Sequence, residues 1–218
     1  MSETATATKP LLRGVSHQIA FFVSLVSGVF LVLRAPDLRA AQAAAIYAAS
    51  LAAMFGASAL YHRPNWAPPA RAWMRRLDHA AIFLLIAGTA TAFTLVVPRG
   101  RAIALSVTWG GALLGIVKTL FWLRAPKALS AVLYVILGWT IVPFLPQLAQ
   151  AIGLGGVALL ILGGLFYSVG AVFYARKWPD LKPGVFGYHE LFHAMVIAAA
   201  VCHYAVVLDI LRCLRERG

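Results

Sequence analysis

Apolar runs of about twenty residues, separated by short polar gaps, recur along the whole chain. Gly14 to Leu33 lies between Arg13 and Arg34, and Ala40 to His62 lies between Arg39 and Arg63. Ala80 to Pro98 follows the Asp78-His79 pair and stops at Arg99, and a fourth run goes from Ala102 to about Trp122, with Lys118 near its end. About 20 helical residues cross a hydrocarbon core of about 30 Å, and in lipid a helix satisfies its own backbone. A lysine near a span end reaches the interface by snorkelling. Residues 128–175 contain no formally charged side chain, and as one helix they would measure roughly 72 Å. Pro143 and Pro146 predict a turn that divides this stretch into two spans. The last run goes from about Tyr188 to Leu211. The pattern predicts an all-α integral membrane protein, a seven-transmembrane helix bundle over 14–211. Short tails, 1–13 and 212–218, flank it.

Composition sharpens that picture. The chain is 61% hydrophobic and 12% charged, against about 45–50% and about 25% in soluble domains. Its formal charge of +12 would suggest nucleic acid in a soluble protein. Here Lys and Arg sit in the gaps between apolar runs, so nucleic-acid binding is excluded as the default. With seven spans, eleven Lys and Arg fall on the side of the N-terminus and seven on the other. Arg124 and Lys127 are among the eleven. The positive-inside rule then predicts a cytoplasmic N-terminus, and the expected location is the cell's inner membrane. MSETATATKP carries no basic region ahead of the first apolar run, so that run is expected to be a retained helix. Cys202 and Cys213 are about 16 Å apart on one helix, too far for a disulfide between them. The patches at Gly153–Gly156 and Leu162–Gly164 are expected to allow close helix packing, since no strand precedes them as phosphate binding would need.

Ionisable groups at a membrane boundary are costly and point to function. In HELFH, His189 and His193 are four residues apart and share a helix face, where they can ligate one metal. They can also be interfacial histidines bonded to neighbours, and H-E-x-x-H is formally a zinc-protease pattern with Glu190 as base. In SALYH, Ser58 and His62 again share a face, although a terminal histidine also serves as an interface anchor. Asp78 and His79 open the third span, where an aspartate can simply cap a helix. His17 stands three residues into the first span and is expected to pack against the site or support it. Topology brings some of these together. The second span ends, and the third and seventh begin, on one side, so His62, Asp78, His189 and His193 lie in one layer. Three imidazoles with an open position suit a catalytic metal. His203, about 15 Å further along the last helix, is expected mid-membrane, packed or hydrogen-bonded to another helix.

KPLLRGVSH (Lys9 to His17), SALYHR (Ser58 to Arg63), RRLDHAAIFLLIAGTATAF (Arg75 to Phe93) and FGYHELFHAMV (Phe186 to Val196) together resemble the bacterial hemolysin III proteins. These are the prokaryotic branch of the progestin and adipoQ receptor (PAQR) family. The resemblance covers nearly the whole chain. It implies seven helices, a cytoplasmic N-terminus and a zinc ion held by His62, His189 and His193, with Ser58 and Asp78 as the family serine and aspartate. It also implies a site linked, in the animal receptors and the related alkaline ceramidases, to hydrolysis of lipid amides.

The activity expected first is therefore zinc-dependent hydrolysis of a membrane-lipid amide or ester, serving membrane-lipid homeostasis. Asp78 would act as general acid and base. Ser58 would orient water or donate to the developing oxyanion. Two other classes remain open. One is a receptor or structural protein in which zinc only ties helices together. The other is a pore, as the family name suggests; it ranks last because the fifth and sixth spans lack the polar stripe that pores carry.

Overall fold

A computed structural model describes residues 9–122 and 126–217. Residues 1–8 of the expected N-terminal tail, Arg124 of the charge count and Gly218 lie outside the described residues. Among the described residues seven α-helices follow in order: α1 (Val15–Arg34), α2 (Leu38–His62), α3 (Pro68–Phe93), α4 (Arg101–Phe121), α5 (Lys127–Gly138), α6 (Leu145–Arg176) and α7 (Tyr188–Arg217). Short 3-10 turns, Thr94–Val96 and Trp139–Phe144, continue α3 and α5. Among the described residues, six stretches are long and apolar enough to cross a membrane, the fifth being the whole of Ala128–Arg176.

Several helices outrun the apolar runs that announced them. Charges mark where lipid ends, and a helix need not stop there. Asp37 caps α2, its Oδ1 accepting from the Ala40 amide at 2.8 Å, the side-chain bond that satisfies a first-turn N–H. α3 begins at Pro68, twelve residues before Ala80, with proline in its first positions after an extended Ala67. Proline suits that place because its missing N–H would have no partner there. Asp78 is thus ten residues inside α3, and the capping role open to it in the sequence is excluded. Likewise α7 continues through the expected C-terminal tail to Arg217.

The division of 128–175 differs from expectation in place. Pro143 lies within the 3-10 turn and Pro146 in the first turn of α6, and the chain stays helical through both. The break is at Gly153, whose φ of 71° and ψ of 177° form a conformation essentially confined to glycine. Trp139 Nε1 donates to Ser168 Oγ at 3.0 Å, and its ring lies against Gly164. That pairing sets 127–152 antiparallel to 154–176, with Gly153 midway. Close packing by the second glycine patch is realised at Gly164, beside Trp139, and at Gly163, against His203.

Helices adjacent in sequence pack together from α1 through α4, α6 packs on α7, and α7 returns to α1. α3 is central: 72% of its apolar stretch is buried, against 22% for α1 and α4. Tyr47, Phe83, Leu31 and Ile210 are among the large side chains wholly enclosed. Phe22, Val26 and Leu33 on α1 and Leu114 on α4 face outward, as lipid-facing side chains do. Cys202 and Cys213 are both free.

Candidate metal centre

Three helices bring imidazoles to one point. α2 closes at His62, where Arg63 N still donates to the Ala59 carbonyl and Pro64 follows. α7 supplies His189 and His193 from its first two turns. One nitrogen from each of the three lies within 4.8 Å of the other two, so they can hold a metal ion. Nε2 of His189 stands 3.0 Å from Nε2 of His62. Two nitrogens each about 2.0–2.1 Å from a tetrahedral zinc would be about 3.3 Å apart, so the residues present fit such an ion. The buried Nδ1 of His193 has no hydrogen-bond partner, which also suits a ligand-bearing ring.

Asp78, from α3, places Oδ2 at 4.0 Å from His62 Nε2, beside the imidazoles and not bonded to them. Its other histidine neighbour is His79, whose Nδ1–H donates to the Arg75 carbonyl at 2.8 Å. Ser58 Oγ shares a 2.8 Å hydrogen bond with Nδ1 of His17, and the His17 ring stacks on His193 with centroids 3.8 Å apart. His17 thus locks one histidine face and one serine hydroxyl. Ser58, Asp78 and the three histidines all line a cavity of about 700 Å³ that runs inward to His203 and Leu160. His203 takes no part in the cluster; its Nε2–H donates to the Leu160 carbonyl of α6 at 3.2 Å.

Glu190 is otherwise employed. Its Oε2 accepts from the Gly187 amide at 2.9 Å, the reach-back of a third-position glutamate that caps a helix start. Its Oε1 accepts from Arg13 Nε. Both oxygens are engaged, which removes the ground for a protease-type base. Residues 9–14, just before α1, are tied down at several points. Lys9 Nζ donates to the Arg63 carbonyl at 2.8 Å, and Leu11 N donates to Gly184 O at 3.1 Å. At Gly14, φ is 79°, and a Cβ there would sit 2.6 Å from Cβ of His62. Only glycine serves both needs. Gly14→Ala is expected to cost about 1–3 kcal/mol and to loosen His62. Reduced metal retention on dialysis, with a lower Tm, would show it; unchanged values of both would show that the close approach is dispensable. Arg13 and Gly14 are the site-building residues that sequence reasoning did not single out, although the quoted KPLLRGVSH contains both.

The model of the family described as haemolysin-III related matches residues 5–204. The chain belongs to the haemolysin-III-related family. Hemolysin-3 of Bacillus cereus is 30% identical over 210 residues, covering 94% of this chain and 93% of that protein. The Hemolysin-3 homolog of Bacillus subtilis is 28% identical over 208 residues, 93% and 94% of the two chains. A rice relative called a heptahelical transmembrane protein of the ADIPOR kind is 40% identical over 65 residues, 28% of each chain. This haemolysin-III-related protein is accordingly a multi-pass membrane protein, and in it the three histidines of α2 and α7 form a potential metal site.

Proposed function

We propose that this haemolysin-III-related protein crosses the cell's inner membrane seven times, N-terminus in the cytoplasm, and is a zinc-dependent hydrolase of membrane-lipid amides or esters. The heptahelical name of the rice relative supports seven crossings. So do the lengths on either side of Gly153, since 154–176 is roughly 35 Å long at 1.5 Å per residue. The observation that carries the hydrolase is one constellation. Three buried imidazoles and a carboxylate oxygen 4.0 Å from one of them stand together on a cavity that reaches toward the middle of a lipid-embedded bundle.

His62, His189 and His193 would hold the zinc. Bound there, zinc supplies Lewis acidity and brings the pKa of a water to about 7. Asp78 Oδ2 accepts the proton that the attacking water loses and returns it to the leaving nitrogen or oxygen. Ser58, its hydroxyl fixed by His17, donates to the oxygen on which negative charge develops. Apolar walls at Leu85, Ile86, Phe93 and Leu160 take the acyl chain and keep bulk water away from the reacting bond. Detergent-purified protein loaded with zinc is expected to release fatty acid from a long-chain ceramide or an acyl ester, and chelation is expected to abolish release. Absence of release from every such lipid, with metal bound, would favour a receptor whose metal only joins α2 to α7.

A further inference from the structure

The cavity's mouth carries a charge pattern that a neutral lipid amide would leave unused. Lys9, Arg13, Arg71, Arg75, Arg76 and Lys118 line it, against one carboxylate, that of Asp78. Arg13 is engaged by Glu190. Among the described residues no carboxylate lies within 4.0 Å of the other five cations. Arg71 and Arg75 are one turn apart in the first turns of α3, so they share a face. Arg76 lies over the Trp73 ring, and its buried Nε has no hydrogen-bond partner. Lys118 of α4 donates to Ser130. Burial first, and then the guanidiniums of Arg63, Arg71 and Arg13, push the pKa of Lys9 below its ordinary value, as crowding of like charge does. Charge bias between the two membrane faces would account for an excess of Lys and Arg on this side. It does not account for their place on the cavity lining, since Lys177 and Lys182 on the same side lie outside it.

We propose that the lipid entering this cavity carries a phosphate-bearing headgroup, held by Arg71 and Arg75 with Lys9 and Lys118 beside them. The acyl chain runs inward past the histidines toward His203. Guanidinium forks match phosphate oxygens in pairs, which an ammonium does not do. A volume of about 700 Å³ is in the range of ligand cavities, about 300–1,000 Å³. This assignment rests on the cavity being the substrate chamber of the proposed hydrolase, so its test avoids turnover and metal altogether.

The full chain carrying His193→Ala, purified in neutral detergent with chelator, is titrated by native mass spectrometry. The probes are a single-chain lysophosphatidic acid, the monoacylglycerol of the same chain length, and inorganic phosphate. The lysophosphatidic acid is expected to bind at least tenfold more tightly than the monoacylglycerol. That preference should fall below threefold when Arg71→Gln and Arg75→Gln are added, with monoacylglycerol binding unchanged, and return in part with Arg71→Lys and Arg75→Lys. Both arginines are exposed, so the fold should tolerate these changes. Arg71→Gln alone, expected to reduce the preference about threefold, serves if the pair does not purify. Equal affinity for the two lipids, or a full preference retained by the glutamine variants, would overturn the proposal. Inorganic phosphate binding as tightly as the lipid would also overturn it, assigning the rim to a soluble anion. A chain that binds the phosphate lipid in this way yet hydrolyses nothing when loaded with zinc would refute the hydrolase and leave the rim site standing.

Discussion

Asp78→Asn is expected to keep the metal and to lower lipid-amide turnover by about 100- to 10,000-fold, the usual worth of a positioned general acid–base. Asparagine has nearly the size of aspartate, and Asp78 makes no bond to the histidines that its loss would break. Oδ2 stands 4.0 Å from His62 Nε2, near enough to take a proton at the site and too far to be a tightly bound partner of that ring. Metal content and turnover therefore separate in this variant. Turnover equal to wild type would remove Asp78 from the chemistry, and loss of metal together with turnover would make it a support of the site. Under the protease reading of H-E-x-x-H, Glu190→Gln would be the lethal change; here it is expected to lower stability while leaving metal bound.

Arg13→Ala should be the most damaging single change outside the metal cluster, costing about 3 kcal/mol and several degrees of Tm. Glu190 is 3% exposed, and removing its partner leaves a buried carboxylate uncompensated, a strongly destabilising change. The same loss frees the strap before α1 from the start of α7, where His189 and His193 are held. Arg13→Ala combined with Glu190→Gln should be more stable than Arg13→Ala alone, since no buried charge is stranded. Thermal melts of the two singles and the double test this directly. An additive double variant would mean that the two residues are not coupled across the bundle.

What the sequence could disclose follows from which constraints act locally. Lipid demands long apolar helices, so the bundle was legible from runs such as Gly14 to Leu33 and Ala40 to His62. Helix ends were not, because Asp78 marks a charge boundary within α3 and not its beginning. The turn was sought at the two prolines, yet Pro143 sits inside a 3-10 helix and Pro146 in the first turn of α6, and only a glycine could supply the backbone angles found at position 153. His189 and His193 were legible through their spacing, and His62 and Asp78 through the layer in which alternating spans place them. The Arg13–Glu190 clamp joins positions 177 apart, and the stacking of His17 on His193 joins α1 to α7. No periodicity or spacing encodes such pairs; they emerge when α1 closes against α7.

The central claim is that His62, His189 and His193 hold a metal. Elemental mass spectrometry on protein purified in detergent without chelator, wild type beside His193→Ala, tests it most directly. About one zinc per chain in the wild type, lost in the variant, is the predicted result. No metal in the wild type would contradict the account, leaving the three histidines as packed interfacial side chains and the cavity without its reactive centre.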